Sequence, residues 1–236
     1  MSAFGLAFFS VCVGLTYLVA YGAYLRKEVN ISRDASIIVS ADSLVAILAG
    51  LAVFPIIFAN NIEPSSGPGL VFQALPIAFS QTAGGLIFGA VFFILLFFAA
   101  LTSSIAMIEA PVSWLSDETN LSRRMAAVTV GFVGFLLGSL AALSFNLLSD
   151  VRPISGLEIL SDKGFFDLFA FIASDVIMPL GGLMIAIFAG WVVKKNFSLD
   201  ELFNGNKNIF YTIWLFLVRY VVPVLLILLF YQIVTA

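Results

Sequence analysis

The stretch Phe97-Phe98-Ala99-Ala100-Leu101-Thr102-Ser103-Ser104-Ile105-Ala106-Met107-Ile108-Glu109 decides how this chain is read. It lies inside an apolar run from Leu86 to Trp114, long enough to cross a bilayer with tilt. On a helix of about 3.6 residues per turn, Ala99, Thr102, Ser103, Ala106 and Met107 share one face. That face is small and polar on an otherwise bulky, greasy helix. Two chemistries suit it. Serine and threonine in membrane helices bond back to the carbonyl four residues earlier, or hold two helices together. Hydroxyl and carbonyl oxygens are also the ligands that hard cations take. Periodicity alone leaves both readings open.

The whole chain is of the same character. Its 236 residues are 61% hydrophobic and only 11% charged, with a mean hydropathy of +1.11. Soluble domains carry roughly 25% charge, so a multi-spanning membrane protein is expected. There is no histidine, which excludes His-based metal sites and a His-based triad. The single cysteine, Cys12, forms neither an internal disulfide nor a multi-thiolate site. The net charge of −3 comes with no basic patch of the kind that binds nucleic acid. Met1–Leu25 lacks a basic leading region and a small-residue cleavage site, so it does not read as a removable signal peptide.

One transmembrane domain over residues 1–236 is expected, with spans at Ala3–Leu25, Ser36–Phe58, Leu86–Trp114, Met125–Phe145, Phe165–Val193 and Ile209–Val234. Arg26, Lys27, Arg33, Arg123, Arg124, Lys194, Lys195 and Lys207 fall in alternate connections, against Arg152 and Lys163 in the others. Eight against two places the first set inside and both termini outside. The segment from Asn60 to Gly85 is more than a loop. Pro64-Ser65-Ser66-Gly67-Pro68-Gly69 breaks the chain, and Leu70–Phe79 is apolar but too short to span. It suits a short external helix, either a lid over an outer vestibule or a helix at the lipid interface. Gly134 and Gly138 form a small-residue ridge for helix packing. Pro179-Leu180-Gly181-Gly182 is expected to kink the fifth span.

Charges inside spans need an account. Asp42 interrupts the second span, and a carboxylate in hydrocarbon costs at least ~2.5–3.5 kcal/mol on insertion scales. It is expected to face a partner or a wet cavity. Glu109, Asp167, Asp175 and Arg219 admit simpler explanations, as ion pairs between spans or as groups near an interface. In the first span, Phe8-Phe9-Ser10-Val11-Cys12-Val13-Gly14-Leu15-Thr16-Tyr17 mixes β-branched, hydroxyl and glycine residues. A broken helix there is tolerable where it lines a cavity; a continuous helix is the other reading.

These fragments together resemble the neurotransmitter:sodium symporter family, amino-acid transporters of the leucine-transporter fold. Ser80-Gln81-Thr82-Ala83-Gly84-Gly85 followed by Phe97–Ala106 is similar to the end of the family's fourth extracellular loop and its eighth helix. Phe8-Phe9-Ser10, Gly14 and Tyr24-Leu25-Arg26-Lys27 resemble its sixth helix, Asp42 through Pro55 its seventh, and Leu121-Ser122-Arg123-Arg124 the start of its ninth. The family is built from two inverted five-helix repeats. The resemblance therefore implies an all-α polytopic bundle: the second repeat plus one further helix, beginning within the unwound sixth helix.

The resemblance implies two sodium sites, each incomplete in this chain. One would use Ser10 and Asp42, and the other the Ala99 carbonyl with the Thr102 and Ser103 hydroxyls. An amino-acid substrate, apolar by the character of its pocket, would touch Phe9, Cys12, Leu15, Ser103 and Met107. The outer gate's carboxylate would be Asp167, with Ala170 in another register. Thr16 stands where many relatives have a second glycine. Leu6 replaces a glutamine that binds chloride in chloride-dependent relatives, and Asp42 replaces their neutral asparagine. A fixed carboxylate there is expected to supply the charge that chloride brings.

The first expectation is therefore a portion of a sodium-coupled amino-acid or small-amine symporter in the cell (cytoplasmic) membrane. It would work by alternating access, with the missing N-terminal repeat as its partner. It would not be an enzyme, and would need no organic cofactor. The alternative is a truncated, transport-inactive fragment that acts only as an assembly or interaction partner.

Overall fold

The computed structural model describes residues 10–12, 14, 17–26, 29–59, 67–154, 156, 160–203, 205 and 208–235. Every regular element among them is helical. In chain order these are α1 (Tyr17–Gly22), α2 (Ile31–Ala59), α3 (Leu70–Ser80), α4 (Gly85–Glu118), α5 (Arg123–Leu143), α6 (Phe165–Val192), α7 (Lys195–Phe203) and α8 (Ile209–Gln232). The chain is an all-α membrane bundle, and α2, α4, α5, α6 and α8 are each long and apolar enough to cross a bilayer.

Local chemistry explains the helix ends. Asn30 accepts a bond from the Arg33 amide, and Asp34 lies in the first turn of α2 where helix amides favour an acid. The helix therefore starts at Ile31, one turn before the apolar pattern does. Ser122 caps α5 through the Met125 amide, and Asn208 caps α8 through the Tyr211 amide at 3.0 Å. α4 likewise runs to Glu118, past the apolar edge at Trp114. Apolarity marks what faces lipid, whereas backbone bonding continues into polar sequence.

Three prolines within helices share a signature, whereas Pro55 and Pro111 lie in uninterrupted α-helix. Wide, π-type turns occupy Leu70–Ala74, Phe171–Ile177 and Leu217–Val221, and each lies just before a proline: Pro76, Pro179 and Pro223. A proline removes an amide donor and crowds the carbonyl four residues back, and widening that turn relieves both. At Pro179, where the sequence predicts a kink, α6 carries this wide turn and resumes as α-helix from Met178.

The chain divides into two compact units. Residues Ala35–Met107 form one, in which Ile57, Ala74 and Leu75 make a buried core with Val53, Leu70, Phe79 and Phe92 around it. The short helix α3 is thus anchored by its own apolar face. Residues 60–66 lie outside the described residues.

The second unit comprises Met1–Asp34 and Ile108–Ala236. There α6 packs on α8, burying Met178, Pro179 and Ala186 from one helix and Leu226 and Leu229 from the other. Phe145, after α5, meets Phe166 of α6 at 4.8 Å between ring centroids. The ridge at Gly134 and Gly138 has nothing within 4 Å of either added Cβ, so no described residue packs into it.

Candidate cation and substrate site

On α4 the small polar face takes the shape its spacing predicts. The Thr102 hydroxyl donates to the Phe98 and Ala99 carbonyls, each at 3.0 Å. Ser104 donates to the Ala100 carbonyl at 2.7 Å. The back-bonding expected of such residues is therefore present, and it does not exhaust their oxygens. A hydroxyl that donates its proton keeps two lone pairs. The Thr102 oxygen and the Ala99 carbonyl, 3.0 Å apart, can both reach one cation whose bonds are about 2.3–2.6 Å, by analogy with other hard ions. Ala99, Thr102 and Ser103 are exposed within their unit, as is Met107 one turn further on. Pro111 has no amide to offer the Met107 carbonyl, so the backbone of this face is opened as well.

Asp42 is half-buried on α2, and neighbouring Ser43 is tied to the Val39 carbonyl at 2.9 Å. Ser10 belongs to the other unit and is exposed there. Phe9 and Leu15 lie outside the described residues. Cys12 is buried, with a left-handed φ of 51°, and Gly14 follows with φ 97°. No α-helix accommodates these angles, so the chain is broken between Ser10 and α1. Gly14 sits directly on α6. A Cβ on Gly14 would collide with the Met178 carbonyl and come within 2.7 Å of the Gly182 nitrogen, and one on Gly181 would strike the Gly14 carbonyl. The glycines of Pro179-Leu180-Gly181-Gly182 are thus a notch for the broken segment. No periodicity in the sequence links the two stretches.

Asp167 lies in the first turn of α6 and lines an open cavity of about 460 Å³ with Asp162, Lys163, Ala170, Phe171, Ser174 and Asp175. Both gate registers, Asp167 and Ala170, face the same space. Lys163 sits over the Phe171 ring at 5.0 Å, leaving three carboxylates and one ammonium around the opening. Asp162 and Lys163 escape a reading of the spans because they lie in the connection before the helix.

The remaining intramembrane charges have structural partners. Glu109 accepts from Arg123 at 2.5 Å and from the Ser113 hydroxyl at 3.3 Å. Arg219 donates through Nε to the Gly190 carbonyl and lies over Trp191. Among the described residues no group of three acidic or thiol side chains is placed to hold a metal. A cation here would depend on neutral oxygens and single carboxylates.

The model of the Sodium:neurotransmitter symporter family matches residues 1–236. The chain is 38% identical to the uncharacterized sodium-dependent transporter YhdH of Bacillus subtilis over 235 residues, covering 98% of this chain and 50% of that protein. It is 29% identical to the sodium-dependent nutrient amino acid transporter 1 of Drosophila melanogaster, over 97% of this chain and 35% of that protein. The crystal structure of MhsT in complex with L-phenylalanine superposes with a TM-score of 0.88 at 37% identity, covering 97% of this chain and 50% of that one. The chain spans about half the length of the sodium-dependent transporters of Bacillus subtilis and Haemophilus influenzae that it matches.

Proposed function

Because the chain belongs to the sodium:neurotransmitter symporter family, we propose that it forms part of a sodium-coupled symporter for an amino acid or related small amine. The observation that carries this reading is the pair of oxygens on α4, Thr102 Oγ1 and the Ala99 carbonyl, 3.0 Å apart on an exposed face. With the Ser103 hydroxyl they offer three neutral ligands to one sodium ion. By the family resemblance, a second ion would take Ser10 and Asp42. A hard cation stripped of water needs roughly six oxygens, so each set is incomplete. The remaining ligands are assigned to the half of the relatives' length that this chain does not match.

The substrate reading rests on the family resemblance. By that resemblance, Phe9, Cys12, Leu15, Ser103 and Met107 would contact the substrate, and their largely apolar character suits an apolar side chain. The non-helical backbone at Cys12 and Gly14 would lie near the substrate's charged ends, which is where unwound helix is useful in a bilayer. Asp167, at the mouth of the acidic opening on α6, would serve as the outer gate. Transport would proceed by alternating access across the cell membrane, sodium and substrate binding together near the midplane. No covalent step is involved.

Uptake of labelled amino acids by the complete transporter in sealed vesicles tests this. Thr102→Ala and Ser103→Ala are each expected to raise the sodium concentration for half-maximal uptake by about tenfold or more, the scale on which metal sites respond to lost contacts. Thr102→Ser should retain most of the coupling. Uptake that is independent of sodium, or unchanged in both alanine variants, would overturn the proposal.

A further inference from the structure

Arg219 is the one charged residue between Ile209 and Gln232. Its Nε donates to the Gly190 carbonyl, its guanidinium carbon lies 5.6 Å from the Trp191 ring centroid, and Trp191 meets Tyr220 edge-on at 5.9 Å. Both helices depart from α geometry here: Gly190 lies in the wide turn Phe188–Val192 and Arg219 in Leu217–Val221. The approach is close, since a Cβ on Gly190 would stand 3.0 Å from Arg219 Cγ.

One of the five N–H groups of the guanidinium is thereby used, and its two terminal nitrogens keep four. Among the described residues no carboxylate lies within ion-pair distance of them. Gly190 precedes Lys194 by four residues, about 6 Å along a helix. The guanidinium therefore lies within roughly one turn of the boundary that Lys194, Lys195 and Lys207 mark as the inner face. Trp191 and Tyr220 are 58% and 51% exposed, the amphipathic rings that settle at headgroup level. Phe188, Val192 and Phe216 extend an exposed apolar surface beside them. A planar fork of donors suits a phosphate held by two bonds, and basic pockets between helices on the inner side suit anionic headgroups.

We propose that Arg219, with Trp191 and Tyr220, binds the phosphate of an anionic membrane lipid at the inner end of the α6–α8 pair. The acyl chains lie along Phe188, Val192 and Phe216. The site is independent of the sodium and substrate residues, and it fastens the wide turns of two helices to the inner leaflet.

The test is binding of fluorescent dioleoylphosphatidylglycerol to the purified chain in detergent, with unlabelled phosphatidylglycerol, phosphatidylcholine and inorganic phosphate as competitors. Phosphatidylglycerol is expected to compete about tenfold better than phosphatidylcholine, and millimolar inorganic phosphate not at all. Arg219→Met should weaken binding by about tenfold or more, as loss of a charge-assisted pair does. Trp191→Leu, at an exposed ring, should weaken it severalfold, and should Arg219→Met unfold, this variant decides. The joint variant Lys194→Gln with Lys195→Gln should bind nearly as the parent does. Parent-like binding by both Arg219→Met and Trp191→Leu would overturn the site. So would loss of binding in the lysine variant alone, or equal displacement by inorganic phosphate, which would mark a free-anion site.

Discussion

Gly14→Ala is the perturbation that most directly tests how the broken first segment is held. Two costs add at this position. A φ of 97° lies outside the region open to residues with a Cβ, a strain of about 1–3 kcal/mol. The new methyl would also collide with the Met178 carbonyl and approach the Gly182 nitrogen to 2.7 Å, and backbone cannot swing aside as a side chain does. Overpacking of this kind costs about 1–3 kcal/mol more. With roughly 2–4 °C lost per kcal/mol in a domain of this size, a cost near 3 kcal/mol lowers the midpoint by about 6–12 °C. The assay is thermal unfolding in detergent, followed by tryptophan fluorescence. Gly181→Ala, which meets the Gly14 carbonyl from the other side without the strain in φ, is expected to lower the midpoint by less. Gly131→Ala is the control, because its added Cβ meets nothing within 4 Å and helix propensity favours alanine. Melting of both Gly14→Ala and Gly181→Ala within about 2 °C of the parent would refute the notch.

Two further outcomes are expected. Tyr211, 4% exposed, shares its hydroxyl with Ser198 at 3.0 Å and donates to the Lys195 carbonyl at 3.1 Å. Tyr211→Phe should cost about 1 kcal/mol in the same melting assay, since Ser198 keeps its own bond to that carbonyl. Asp42→Asn in the complete transporter should create a chloride requirement for uptake, and ion dependence identical to the parent's would count against Asp42 as the fixed charge.

The helices were legible because lipid and backbone bonding make the same demand over most of each span. The polar stripe on α4 was legible for a related reason: its members recur at helical spacing, so the face exists whatever the tertiary structure does. The meeting of Gly14 with Gly181 and Gly182 was not. It joins stretches about 165 residues apart, and nothing local to either demands the other. The charges divide in the same way. Glu109 and Arg123 are separated by a short connection and meet as neighbouring helices do. Arg219 finds a backbone carbonyl rather than a side chain, and no inventory of acidic residues reveals such a partner. Pro179 gave the position of an irregularity, a wide π-type turn of the kind at which helices also bend.

That relief also governs where polarity sits in the membrane-spanning part. The carbonyls crowded by Pro179 and Pro223 belong to Asp175 and Arg219, the charged residues of the wide turns in α6 and α8. The carbonyl opposite Pro111 belongs to Met107, one turn from the hydroxyls of Thr102 and Ser103. A turn that has already lost a backbone bond is a polar place in hydrocarbon, so a charged or hydroxyl side chain adds less there than in an intact helix. Proline thus opens the backbone, and Asp175, Arg219 and the hydroxyls of Thr102 and Ser103 lie near such openings. Restoring the amide with Pro111→Ala would close the Met107 carbonyl into the helix while leaving Thr102 and Ser103 in place. If the stripe on α4 works only through its hydroxyls, sodium coupling survives that change; if the opened backbone contributes, the sodium requirement rises with every hydroxyl intact.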